Sequence, residues 1–318
     1  MLDRRSVMST GVMAAMLTAF AGTRARAATQ RLILVHGRSQ GERDPIDIKK
    51  EWLDTLAIGA AALGRTVPAG ISVELPFYGG RLDELTQQAG LPLTSDIHAK
   101  GGAVTDEYLM FQAEVAEEIR AAAGVTDAQV NNEYGDNARE KGPLNWEWVQ
   151  AIIRAIDRYG GGISQAALER FTRDVFLYTT IAGVRDEIDA IVRPALSEEP
   201  AVVIGHSLGS VVAYNVLRTD PRPLRVPLFV TVGSPLGIIA ISRQLRPLKH
   251  PKPVSAWKNA FDNRVLVALN PLDSMHFPIS PAIDNFSEVN NSTDNRHGIS
   301  GYLNDVKTAG WILDGLAG

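Results

Sequence analysis

Short apolar runs of strand length recur along the chain, and the stretches between them place apolar residues at helical spacing. Arg31-Leu32-Ile33-Leu34-Val35 is a continuous run, suited to a strand buried on both faces as in a parallel sheet. From Pro45 to Leu63 charged residues alternate with Trp52, Leu53, Leu56 and Ala60 at helical spacing, and Gly64 is a plausible stop. Ile71 to Phe77 reads as a second strand, ended by Gly79-Gly80. Strand, helix, strand in this order implies a right-handed parallel crossover. The next strand, Ala201-Val202-Val203-Ile204, runs through Gly205-His206-Ser207-Leu208-Gly209 into a helical pattern over Ser210–Arg218, stopped by Asp220-Pro221. Val226–Gly233 and Val254–Phe261 read as further strands and Phe286–Asn290 as a weakly signalled last one. Gly301–Leu316 is a closing helix with Tyr302, Leu303, Val306, Trp311 and Leu313. This alternation predicts an α/β fold, a three-layer αβα sandwich around a mostly parallel sheet.

About 120 residues separate the second and third strands, too many for one crossover helix. Within them, Asp106–Ala123 and Trp146–Tyr159 read as helices around a polar stretch, Asn131–Gly142. Gln165–Leu196 reads as one or two long helices with Phe171, Val175, Phe176, Val184, Ile188 and Ile191 on an apolar face. Residues 81–162 are expected to form a helical insertion sitting over the sheet. Tyr108, Leu109, Met110 and Phe111 either wall an acyl pocket or pack as helix core, and both readings stand at this point.

With 318 residues, 45% hydrophobic and 21% charged, the chain can bury a sizeable core, and 28–318 is read as one domain. A net charge of -4 without a basic block argues against a nucleic-acid partner. The absence of cysteine removes disulfides, thiolate metal sites and cysteine nucleophiles together. The remaining His and Asp residues show no metal-ligand spacing, and no Gly-rich phosphate loop follows the first strand, so neither metal nor cofactor is expected. Residues 1–27 read as an export signal: Arg4-Arg5, an apolar run from Thr10 to Gly22, and the small-x-small site Ala25-Arg26-Ala27. Asp3-Arg4-Arg5-Ser6-Val7-Met8 resembles a twin-arginine signal, which places the mature chain in the periplasm or outside the cell. The apolar run is short for a membrane span, so no stable span is expected in the mature chain, with a retained signal-anchor as the alternative.

A G-x-S-x-G between a strand and a helix holds its serine at a sharp, strained turn with the hydroxyl above the sheet edge, and Gly205 and Gly209 leave room for it. A serine hydroxyl attacks a carbonyl at neutral pH only with a base in hydrogen-bond reach, and that base needs an orienting acid. The chain resembles the α/β-hydrolase superfamily in its lipase/esterase-like branch. The resemblance rests on His36-Gly37, Gly205–Gly209, Gly233-Ser234-Pro235 and a histidine, His297, before the last helix.

In that family the order is serine, acid, histidine, which implies Ser207 as nucleophile and His297 as base. His250 precedes the strand that should deliver the acid, and His276 lies in a partly apolar loop. The acid is Asp262 if Val254–Phe261 is the preceding strand, or Asp273 if Val265–Leu269 takes that place. The chain also resembles bacterial hydrolases carrying Trp-x-Asn-x-(Phe/Tyr)-Asp-x-x-Asp, matched by Trp257, Asn259, Phe261 and Asp262, with Val265 in place of the second aspartate. The oxyanion donors implied are the backbone N–H groups of Leu208 and Arg38, with His36 as a structural hydrogen-bonder. The resemblance implies hydrolysis of a small-molecule or lipid ester through an acyl-serine intermediate, without metal or organic cofactor. Thioesterases and peptidases share this machinery. A non-catalytic binding protein on a degenerate hydrolase fold is the reading from another class, favoured by Val265 and opposed by the Ser207/His297 pair.

Overall fold

The computed structural model describes residues 31–91, 93, 106–136, 140–268, 270–294 and 296–317. Strands β1 (Arg31–Val35), β2 (Ser72–Glu74), β3 (Val202–His206), β4 (Leu228–Val232), β5 (Trp257–Ala260) and β6 (Asp284–Phe286) form one sheet. Their order is β2-β1-β3-β4-β5-β6, and every pairing is parallel. The described α-helices are α1 (Pro45–Ala62), α2 (Gly79–Ala89), α3 (Asp106–Ala122), α4 (Asp127–Tyr134), α5 (Trp146–Ala155), α6 (Gln165–Thr180), α7 (Ala182–Val192), α8 (Leu208–Thr219), α9 (Ile239–Gln244), α10 (Ser300–Leu303) and α11 (Val306–Ala317).

Strand side chains alternate between the two faces, so the continuous apolar runs of β1 and β3 feed two cores at once. Ile33, Val35 and Val203 join one core with Val211, Tyr214 and the α6 face. Leu32, Leu34, Val202 and Ile204 join the other with Trp52, Leu56, Ile312 and Leu316 from α1 and α11. Helix, sheet and helix thus make the expected three-layer α/β sandwich. The chain adds β2 on one side of β1 and then returns to place β3 on the other side. In open parallel sheets, this reversal opens a crevice at the C-terminal strand ends, between β1 and β3 here.

Region 81–162 begins inside the first turn of α2, continues through α3, α4 and α5, and closes on a π-helical turn at Ile156–Gly160. Two of its helices have capped starts. Thr126 and Gln129 form a reciprocal capping box on α4, and the Asn145 side chain caps α5. Val115, Ile119, Val149 and Ile152 belong to the same core as the α8 face of the sheet. The Tyr108 and Phe111 rings sit 5.1 and 5.5 Å from the Phe176 ring of α6, so the aromatic stripe is helix core. Leu109 is buried too, and Met110 faces solvent.

Several boundaries depart from the sequence pattern for local reasons. The second strand is confined to Ser72–Glu74, short of Pro76, which has no N–H for a ladder. The last strand is Asp284–Phe286, ending where 286–290 was expected to begin. The closing helix is broken: Asn304 ends α10, and the Asp305 carboxylate takes the Thr308 N–H at the start of α11. Gln165–Leu196 divides at Ile181, whose backbone is extended. Val265–Ala268 runs as turns, which leaves β5 as the strand before Asp262. Leu269 and the export signal read over 1–27 lie outside the described residues. Among the described residues, no helix is long and apolar enough to cross a membrane.

Candidate active site

The crevice between β1 and β3 is where the sequence motifs converge. Ser207 sits between the end of β3 and the start of α8 with φ 51° and ψ -128°, a conformation that residues with a Cβ rarely adopt. Three hydrogen bonds hold it there. Its N–H donates to the Val232 carbonyl at 3.1 Å, and its carbonyl accepts from the Ser210 N–H at 2.9 Å and the Ser210 hydroxyl at 2.6 Å. A Cβ on Gly209 would lie 2.2 Å from the carbonyl oxygens of both Val35 and His36, so α8 is seated directly on the end of β1. A Cβ on Gly37 would lie 3.1 Å from Ser207 Cβ, which sets the loop bearing the Arg38 N–H against the serine. The Leu208 N–H heads α8, where the helix dipole favours negative charge.

His297 Nε2 lies 2.9 Å from Ser207 Oγ, a hydrogen-bonded pair ninety residues apart in sequence. The loop presenting His297 is fixed from below: His206 Nε2–H donates to the His297 carbonyl at 2.8 Å. Gly233, at φ 56°, makes the space, since a Cβ there would come within 2.9 Å of His297 Cε1 and 2.8 Å of the Tyr302 hydroxyl. That hydroxyl faces His297 Nδ1 at 3.5 Å, and is itself bonded by the Asp262 main chain and the Asn291 side chain.

The two aspartates go elsewhere. The buried Asp262 carboxylate accepts from the Arg264 guanidinium and N–H, and from the Asn291 N–H at 3.0 Å. Those donors hold its pKa below the usual carboxylate range against the opposing effect of burial. Asp262 therefore reaches the imidazole at one remove, through Asn291 and Tyr302, where a direct carboxylate contact was expected. Asp273 accepts from His276 Nδ1 at 2.8 Å and from two backbone N–H groups, forming a separate surface pair.

Of the other histidines beneath the site, His36 is buried and His206 half-buried. His36 Nδ1–H donates to the Gly37 carbonyl at 2.7 Å while Nε2 accepts the Tyr78 N–H at 3.2 Å, and its ring stacks on Tyr78 at 4.2 Å. Both ring nitrogens are thus occupied. Burial pulls the His36 and His206 pKa values down to about 4, and pulls that of His297 well below 6.5 with help from His206 and the Arg38 guanidinium.

Ser207 and His297 open onto a cavity of about 410 Å³. Its lining includes the polar residues Arg38, Gln40 and Arg43 and the apolar residues Ile163, Phe171, Leu266 and Ile299. Four contributors escaped the sequence reading. His206 was only the variable residue inside G-x-S-x-G, Tyr302 counted as helix core, and Asn291 had no signal at all. Asp174, which pairs with Arg38, is with Glu169 one of two acids on the buried face of α6, and that anomaly was readable. No family model matches the chain, and neither a curated protein nor a solved structure matches it.

Proposed function

We propose that this chain is a serine hydrolase of carboxylic esters, a member of the α/β-hydrolase superfamily acting outside the cytoplasm. One observation bears most of the weight: the 2.9 Å contact between Ser207 Oγ and His297 Nε2 at the mouth of a cavity, with the serine on a strained strand-to-helix turn. His297 takes the hydroxyl proton as Ser207 Oγ bonds to the ester carbonyl carbon. The Leu208 and Arg38 N–H groups hold the resulting oxyanion, each contributing about 2.7–4 kcal/mol of barrier lowering when measured by removal. The tetrahedral centre collapses with cleavage of the C–O bond, and His297 returns the proton to the leaving alcohol. Water, activated by the same imidazole, then releases the acid from the acyl-serine. Asp262 supports this through Asn291 and Tyr302, which hold the imidazole in place.

Hydrolysis of p-nitrophenyl esters from acetate to decanoate is the test: turnover is expected in the wild type and lost in Ser207→Ala. Absence of turnover along the whole series in the wild type would reject the reading. A non-catalytic binding role draws on a single observation, the commitment of the Asp262 carboxylate to Arg264, and that negative result would select it.

The half-buried imidazole also sets the pH response. Only neutral His297 accepts the serine proton, and its pKa lies well below 6.5. The kcat/KM profile is therefore expected to stay level as pH falls through 6.5 and to decline only in more acidic solution. A midpoint at or above 6.5 would mean a solvated base.

A further inference from the structure

The cavity beside Ser207 is lined by an arginine, Arg38, whose terminal nitrogens ester hydrolysis alone does not require. Arg38 contributes its side chain as well as its backbone N–H. Arg38 lines the cavity, and its side-chain Nε–H donates to Asp174 Oδ2 at 2.8 Å. It also lies close enough to His297 to disfavour protonation of that ring. Asp174 stands behind the cavity wall on α6, and its other oxygen lies 3.6 Å from Arg173 Nε, so one carboxylate serves two guanidinium groups. On the wall itself the charged side chains are Arg38, Arg43 and Glu51, with Arg43 bonded to Glu51 and Gln40. Arg38 finds its carboxylates away from the wall, in Asp174 and, farther off, Asp83. Its Nη1 and Nη2 groups have no hydrogen-bond partner among the described residues. A guanidinium pinned through Nε presents that remaining edge as a rigid two-donor fork, the shape that a carboxylate accepts.

We infer that the cavity selects esters bearing a carboxylate on a short chain beside the scissile carbonyl, with the Arg38 Nη groups holding the carboxylate and Ile163, Phe171 and Leu266 packing the intervening methylenes. The inference rests on the ester-hydrolase reading above and adds the substrate class. A purely structural Arg38, tying the loop after β1 to α6, would give no preference between charged and neutral esters of equal length.

Such pairs are simple to compare. The monoethyl esters of succinate, glutarate and adipate match ethyl butanoate, pentanoate and hexanoate atom for atom except at the far end. In the wild type, at least one acid ester is expected to exceed its neutral partner in kcat/KM by about tenfold or more, the size of one charged hydrogen-bond contact. Arg38→Gln combined with Asp174→Asn removes both charges without stranding a buried carboxylate, and is expected to bring that ratio to one or below. Arg38→Lys keeps the charge but not the fork, is the milder change for folding, and is expected to keep only part of the preference. Neutral esters favoured in all three pairs, or a ratio unchanged in the variants, would overturn the inference and leave the hydrolase reading standing. Calorimetric titration of monoethyl glutarate into Ser207→Ala reads the anion site without turnover. Heat that disappears on adding Arg38→Gln with Asp174→Asn supports the site, and no heat in Ser207→Ala itself overturns it, whatever the esterase assays give.

Discussion

Replacing His297 by glutamine is expected to lower kcat on p-nitrophenyl butanoate by about ten-thousand-fold or more while KM moves little. The reason is a proton with nowhere else to go. Ser207 Oγ has its hydrogen-bond partner in His297 Nε2 at 2.9 Å. Glutamine retains polarity and some hydrogen bonding at that spot but accepts no proton. The other histidines nearby do not substitute: His36 has both nitrogens engaged, and His206 donates its Nε2–H to the His297 carbonyl. Steady-state kinetics on purified protein with an unchanged circular dichroism spectrum decides the matter. A fall of less than about tenfold would place the base elsewhere.

Gly209→Ala is expected to be the most damaging single methyl group in the molecule. The added Cβ would stand 2.2 Å from two carbonyl oxygens at the end of β1. Neither neighbour yields: Val35 is paired in the middle of the sheet, and Gly209 lies in the first turn of a buried helix. Relief requires α8 to lift off the sheet, which opens the core beside Val203 and Val211. A loss of about 4 kcal/mol or more is expected, the range reserved for overpacking and strain against fixed backbone. In a domain of this size that corresponds to roughly 10 °C in Tm. Gly80→Ala is the matched control: it lies in α2, and a Cβ there meets nothing within 4 Å. Its melting temperature is expected to be unchanged or slightly raised. Equal melting curves for the two variants would contradict the tight seating of α8 on β1.

Much of the fold was legible because its central strands are buried on both faces. The continuous runs at Arg31–Val35 and Ala201–Ile204 have no polar alternation to confuse them with surface strands, and they became β1 and β3. Ser207 was legible for the same reason: a glycine-bracketed serine directly after such a run has little choice but the sharp turn. His297 was legible by position, before the closing helix. What supports His297 was not. The Asp262, Asn291 and Tyr302 cluster joins a strand end, a loop and a short helix across about forty residues, and no local periodicity encodes such a meeting. The insertion shows the converse limit. Its aromatic stripe at Tyr108–Phe111 had the right spacing for either a pocket wall or a core, and only the position of Phe176 on α6 decided for the core. Short edge strands were the least legible, because three residues at Asp284–Phe286 with partial exposure leave almost no pattern.

The central claim is that a serine hydroxyl at a strained strand-to-helix turn is made nucleophilic by an imidazole beside it. The most direct measurement is the mass spectrum of the protein after treatment with a fluorophosphonate, followed by peptide mapping of the adduct. One phosphonyl group per chain is expected, on Ser207, absent from Ser207→Ala and added far more slowly in His297→Gln. An adduct on another residue, or labelling at equal rate with and without His297, would contradict it.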